Sequence, residues 1–185
     1  MGNVFFYHFE VKSLKKGITI GITANSKADG EAITGVFFGS GKQKTLPKKI
    51  AQIGCLCEAG GFVEAETPLI QQAAAQIAEY LAGARKEFSL PLALHGTDFQ
   101  KAVWQALQKI PFGETRSYKD IAVMIGRPKA VRAVGMANNR NPISIIVPCH
   151  RVIGHDGSLV GYGGGLPLKE YLLNLEKGGG LQGKY

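Results

Sequence analysis

Cysteine is scarce in this chain: three in 185 residues, an odd number, cannot close a disulfide framework. That excludes a small disulfide-held scaffold and points to a reducing, cytoplasmic setting. Long apolar runs are missing too, because Gly, Lys or Pro interrupts each one, so neither a membrane span nor a membrane partner is expected. The amino terminus has no basic stretch leading into an apolar core and a small-residue cleavage site, and it does not read as a secretion signal. Cys and His are too sparse to complete a zinc cluster. Cys55 and Cys57 in "GCLCEAGG" would need His8 or His95 folded nearby; the plainer reading packs one thiol as a small hydrophobe and leaves the other near the surface. No metal and no cofactor is expected. Acidic residues are outnumbered, 14 against 22 Lys and Arg, and the resulting net charge of +8 admits a polyanion as partner, although solubility alone produces such a balance.

What is present divides the chain. From Val4 to about Gly41 the runs "NVFFYHFEV", "GITIGIT" and "AITGVFF", punctuated by Gly, Asn and Asp, predict a small antiparallel sheet. A basic connector, "GKQKTLPKK", and a loop, "CEAGGF", follow. In "TPLIQQAAAQIAEYLAG", Thr67 is an N-cap, Pro68 takes the first helical position, Ile70, Ile77 and Leu81 are apolar, and Gly83 is a stop. "SLPLALHG", Ser89 to Gly96, has neither period nor charge and reads as the connector between domains. The expected fold is α+β: residues 1–92 form an α/β structural domain, residues 93–178 a mainly helical domain, and residues 179–185 a flexible tail.

The second domain opens on "TDFQKAVWQALQKIPFG", with a capping box at Thr97 and Gln100, apolar Phe99, Val103, Ala106, Leu107 and Ile110 at helical spacing, and Trp104 as a packing residue. "SYKDIAVMIG" is capped by Ser117 and stopped at Gly126; "RPKAVRAVGMANN" restarts with Pro128 at its first position. Two short helices joined by a Gly turn fit a helix-turn-helix, a plan that helical hairpins without DNA also fit. Arg127, Lys129 and Arg132 cluster on the second helix, and no acidic residue lies between Arg127 and His155. Such a face holds phosphates. The last helix, in "GGLPLKEYLLNLEK", sets Leu168, Leu172 and Leu175 on one stripe with Glu176 beside it, either as a surface glutamate or as a carboxylate held near the core.

In "ISIIVPCHRVIG" the remaining thiol, Cys149, stands between Pro148 and His150. A free thiol has a pKa of about 8.5, so a nucleophilic one needs a base or a positive field close by. His150 and Arg151 follow directly. Neighbours in an extended segment point to opposite sides, so a bend after Cys149 or a bridging water is required. Alternatively, Cys149 is an inert thiol ending a core strand.

"PCHRVIG" resembles the active-site signature of the O6-alkylguanine-DNA alkyltransferases, also called methylated-DNA–protein-cysteine methyltransferases. The resemblance runs from about Thr97 to Glu176, with "FGETRSYKDIA", "GRPKAVRAVGMANNRNPISIIVPCHRVI" and "GYGGGLPLKEYLLNLE" in family order; the N-terminal half is similar only in general plan. It implies that Cys149 takes the alkyl group from guanine O6, that His150 is its base through a water, and that Glu176 orients His150. Asn141 would brace the turns around the site, and Tyr118 would hydrogen-bond the extruded base and help neutralise the leaving guanine. Arg132 would enter the stack where the nucleotide has left. Val152 and the 157–164 loop, with Tyr162, Gly163 and Gly164, would line the pocket. Ala133, with Ala130, Gly135 and Ala137, would let the second helix come close, and Ser117, Arg127 and Lys129 would meet DNA. The implied partner is double-stranded DNA containing O6-alkylguanine, met through the minor groove by a monomer that reacts once.

Two departures from the family pattern stand out. Gly163 replaces a serine found in some relatives, which widens the pocket, and no N-terminal set of zinc ligands is recognisable. Two other functions use parts of the same sequence: a thiol hydrolase, and a non-catalytic helix-turn-helix DNA-binding module.

Overall fold

The β-branched runs near the amino terminus form three long strands, β1 (Val4–Val11), β2 (Ile18–Lys27) and β3 (Gly30–Ser40). They pair antiparallel, β1 with β2 and β2 with β3, the latter ladder carrying an irregularity at Thr23/Ala24. A short strand, β4 (Phe62–Glu64), joins the free side of β1 in parallel, so the sheet is mixed, in the order β3-β2-β1-β4. The computed structural model describes residues 4–11, 18–27, 30–40 and 62–178. The expectations for Cys55 and Cys57, the connector at 41–49, the loop at 57–61 and the tail at 179–185 lie outside those residues.

The chain separates into two units, residues 1–95 and 96–185. In the first, helix α1 (Pro68–Leu81) lies on the sheet and buries Ile70, Ala73, Ile77, Tyr80 and Leu81 against a core that includes Ile20, Ile22, Ala24, Ile33 and Val36. Its start is built as the sequence predicts: Pro68 opens it, and Thr67 Oγ1 accepts from the Ile70 N–H while donating to Glu31 of β3 at 2.6 Å. The segment read as a connector is tied into this unit. Leu92 bridges Ile33, with the Ile33 N–H donating to Pro91 O and the Ala93 N–H to Ile33 O.

The second unit holds α2 (Asp98–Leu107), β5 (Arg116–Ser117), α3 (Tyr118–Met124), α4 (Val131–Asn139), a 3₁₀ turn (Cys149–Arg151), β6 (Val152–Ile153) and α5 (Leu166–Glu176). Both expected caps form, Thr97 with Gln100 and Ser117 with Asp120. Val103, Trp104, Ala106, Leu107 and Ile110 are buried, and Trp104 Nε1 donates to Ala137 O of α4 at 2.9 Å, satisfying the indole. Helix α3 ends on Gly126 at φ +68°, with the Gly126 N–H donating to Val123 O and the Arg127 N–H to Ala122 O. That paired closure needs the left-handed residue glycine supplies.

Three expectations are corrected here. Pro128 does not open α4; it occupies the second position of a turn closed by the Ala130 N–H to Arg127 O bond, where its fixed φ is favoured, and α4 starts at Val131. Arg127 and Lys129 therefore sit on that exposed turn, and only Arg132 of the three is helical. On α5 the buried stripe is Leu168, Lys169, Leu172, Leu173 and Glu176, so Leu173 takes the place expected for Leu175. No helix among the described residues is long and apolar enough to cross a membrane.

Candidate active site

The apolar run before Cys149 is not a strand. Its backbone closes on itself: the Val147 N–H donates to Ile143 O and the Ile146 N–H to Ser144 O, while Ile145 stands at φ +70°, a region β-branched residues seldom enter. Asn141 holds this winding from inside, its Nδ2 donating to Val147 O at 2.8 Å and its Oδ1 accepting from the Ile143 N–H at 3.0 Å. A short amide side chain satisfying local backbone groups competes successfully with a sheet ladder. The chain thus reaches Pro148 already turning and winds Cys149, His150 and Arg151 into one 3₁₀ turn. The extended geometry expected around Cys149 does not occur, and the bend that reading required lies at the thiol itself.

Around that turn, buried ionic groups converge on Glu176. His150 is wholly buried, with Nε2 2.9 Å from Glu176 Oε1. Arg151 Nε donates to Oε1 at 3.1 Å and Oε2 at 2.9 Å, Nη2 donates to Oε1 at 2.9 Å, and Nη1 donates to Ile110 O at 2.6 Å. The Gly113 N–H adds a bond to Oε2 at 3.1 Å; Gly113 stands at φ +81°, and a Cβ there would press on the Glu176 backbone oxygen. One carboxylate thus ties α5, the 3₁₀ turn and the loop after α2 together. Such a cluster is stable only because the lone pairs it buries are filled. Burial holds the His150 pKa below its ordinary value; Glu176 opposes that shift, and Arg151 and Lys169 add to it.

The Cys149 thiol is buried, and its burial pushes the pKa up, against the downward pull of the Asn141 amide and the Lys169 charge. Tyr118, at the first turn of α3, donates to Val160 O at 3.0 Å. Its pKa is raised by burial and then by the neighbouring Cys149. Lys169 is 0 % exposed and donates to Val152 O at 2.6 Å and Val160 O at 2.8 Å, so the Val160 carbonyl is shared by a phenol and an ammonium. Burial lowers its pKa to about 8, opposed by Cys149. The Tyr162 ring meets the His150 ring edge-on at 6.5 Å, and Val152, buried, pairs with Arg116 across the β5–β6 ladder.

Seven of the expected residues, Cys149, His150, Glu176, Asn141, Tyr118, Val152 and Tyr162, are linked through these contacts. Gly163 is exposed, and nothing lies within 4 Å of the Cβ it lacks; Gly164 is half-buried. Arg127, Lys129, Arg132 and Ala133 are exposed on α4 and the turn before it, and Ser117 caps α3 through Asp120. Among the described residues no group of three or more His, Cys, Asp and Glu side chains is placed to hold a metal ion. The sequence reading missed Lys169 and the pairing of Arg151 with Glu176. Lys169 precedes Glu176 by two helical turns and so shares its face, a spacing that could have exposed it; Arg151 had only its adjacency to His150 as a signal.

Residues 98–178 match the family described as 6-O-methylguanine DNA methyltransferase, DNA binding domain. A methylated-DNA–protein-cysteine methyltransferase of Methanosarcina barkeri is 63% identical over 107 residues, covering 58% of this chain and 68% of that protein. The constitutive methylated-DNA–protein-cysteine methyltransferase of Bacillus subtilis is 58% identical over 113 residues, 60% of this chain and 68% of its own. The chain belongs to the methylated-DNA–protein-cysteine methyltransferase family. Its fold as a whole is similar to the solved structure of Mycobacterium tuberculosis OGT in complex with DNA, with a TM-score of 0.71 at 39% identity over 95% of this chain and 94% of that one. Membership places the chain among the DNA-repair methyltransferases and makes the α+β architecture the family's own.

Proposed function

We propose that the chain repairs double-stranded DNA carrying O6-alkylguanine by moving the alkyl group onto its own Cys149, once per chain. The observation that carries this reading is a buried thiol wound into one 3₁₀ turn with a wholly buried imidazole, itself 2.9 Å from a buried carboxylate. A thiol kept protonated by burial is a poor nucleophile until a base takes its proton. With Glu176 ionised, the His150 Nε2–H donates to it and leaves Nδ1 as the basic nitrogen, which takes the thiol proton through a water. The thiolate attacks the alkyl carbon, the S–C bond forms as the C–O6 bond breaks, and the electron pair leaves with guanine. Tyr118 hydrogen-bonds the base and helps neutralise that charge; Asn141 braces the turn that presents the thiol.

A base atom stacked inside a duplex is out of reach, so the nucleotide must be extruded at a cost of a few kcal/mol. Helices α3 and α4 would act as the helix-turn-helix, α4 entering the minor groove with Arg132 filling the gap, while Arg127, Lys129 and Ser117 hold the backbone and Ala133 permits close approach. The extruded base would lie against Val152, Tyr162, Gly163 and Gly164. The open space at Gly163 favours alkyl groups larger than methyl. The product is a thioether, which offers water no good leaving group, and a monomer suffices for every step.

Mixing the protein with an oligonucleotide duplex bearing O6-methylguanine should add one methyl to the peptide containing Cys149, seen by intact and peptide mass spectrometry. Titration with excess lesion should plateau at one repaired per chain, and Cys149→Ser should bind the duplex without reacting. Methyl transfer in Cys149→Ser, or repair continuing past the plateau, would sink the reading.

A further inference from the structure

We propose that Arg151 is a positioning residue that keeps His150 uncharged in the resting protein, by closing an ion pair on Glu176 before the imidazole can. The inference rests on the reading of His150 as the base that serves Cys149. A carboxylate buried beside a lone imidazole draws a proton onto it, and an imidazolium has no lone pair with which to accept another. Glu176, however, is already met by the Arg151 guanidinium at both oxygens, between 2.9 and 3.1 Å. Its charge is balanced without His150, which is left a hydrogen bond rather than an ion pair.

Burial first, and then Lys169, act in the same direction as Arg151, against the pull of Glu176. The charged and titratable groups facing His150 are Glu176 and Lys169 from α5, Cys149 and Arg151 from its own turn, and Tyr162 from the loop before α5. On the far side of Arg151 the loop after α2 offers the Ile110 carbonyl and the Phe112 ring, whose centroid is 5.8 Å from the guanidinium carbon. With Glu176 and Arg151 cancelling, a proton on His150 would make the cluster net positive beside Lys169. The planar fork is what allows one side chain to hold both carboxylate oxygens and the Ile110 carbonyl, a set that a lysine ammonium does not span. During the reaction the proton passes from Cys149 to His150 and the new positive charge is offset by the thiolate, so the imidazole charges only when the nucleophile does.

The test is the pH profile of alkyl transfer from the free base O6-benzylguanine, which requires no DNA, followed from about pH 5 to about pH 9. In the parent the rate should fall on the acid side as His150 protonates. Arg151→Met should move that acid limb upward by about one pH unit or more, whereas Arg151→Lys, which keeps the charge but not the fork, should move it by less. A uniform drop at every pH with the limb unmoved would mean that Arg151 only supports the fold, and would overturn the inference. Should Arg151→Met fail to fold, NMR of the parent with labelled histidine decides: a neutral His150 ring at pH 7 supports the inference and an imidazolium there overturns it. His150→Ala separates the two readings. A limb that survives in that variant ends the base reading and this inference together; a limb lost there yet fixed in Arg151→Met ends this inference alone.

Discussion

Arg151 and Arg132 belong to the same unit and work under opposite conditions. The first is buried, with its guanidinium fixed on Glu176 and the Ile110 carbonyl; the second projects from α4 into solvent and makes no ion pair among the described residues. A buried guanidinium is held where it is because its partners replace water, and it acts on its surroundings from that fixed place. An exposed one is hydrated, mobile and free to meet phosphate. On the proposed function the contrast separates chemistry from recognition: the charge proposed to set proton affinity is inside, and the charge proposed to meet DNA is outside.

The largest expected effect falls on the inner cluster. Glu176→Ala leaves the Arg151 guanidinium buried without its counter-charge and removes the anchor of the Gly113 N–H, so it should cost about 3–5 kcal/mol of stability as well as slow alkyl transfer. Thermal and denaturant unfolding of the intact chain check it. A loss under about 1 kcal/mol would mean that the cluster behaves as an exposed pair does, and the comparison would collapse.

Arg132→Ala should come next, and should show in a different measurement. Folding is expected to be untouched, whereas repair of a lesion in duplex DNA should fall by about tenfold or more and transfer from free O6-benzylguanine by much less, because only a duplex needs a placeholder for the extruded nucleotide. Equal losses on the two substrates would move Arg132 out of recognition and into the support of the pocket.

How far the sequence alone leads depends on how local the cause is. Thr67 with Pro68, Thr97 with Gln100, and Ser117 with the Gly126 stop were legible because caps and closures act within one turn of backbone. Cys149, His150 and Glu176 were legible through motif and resemblance, and their meeting needed only α5 to return to the turn. The winding at Ile143–Val147 was not legible. Its β-branched composition favours a strand, and what overrides it is the single side chain of Asn141. Pro128 was misplaced because the same fixed φ suits both a first helical position and the second position of a turn. Burial of Lys169 and Arg151 depends on carbonyls from distant segments, Val152, Val160 and Ile110, and no spacing rule announces those acceptors.

The smallest expected effect belongs to Lys129, and it sharpens the outer half of the comparison. Lys129 is exposed in the turn before α4, one residue after Pro128 and three before Arg132, rather than on the helix itself. If α4 enters DNA as proposed, Lys129 is expected to meet a phosphate rather than a base. A contact of that kind releases a condensed counterion and carries no sequence information, so Lys129→Ala should weaken binding to damaged and undamaged duplexes alike and lower the slope of log K against log salt by about 1. The rate on the free base should stay as in the parent, since the pocket groups Tyr118 and Cys149 are untouched. Fluorescence anisotropy on both duplexes across a salt series measures the slope. An affinity loss confined to the damaged duplex, or one with the slope unchanged, would place Lys129 in recognition of the lesion instead of the backbone and would blur the line between the outer charges and the inner ones.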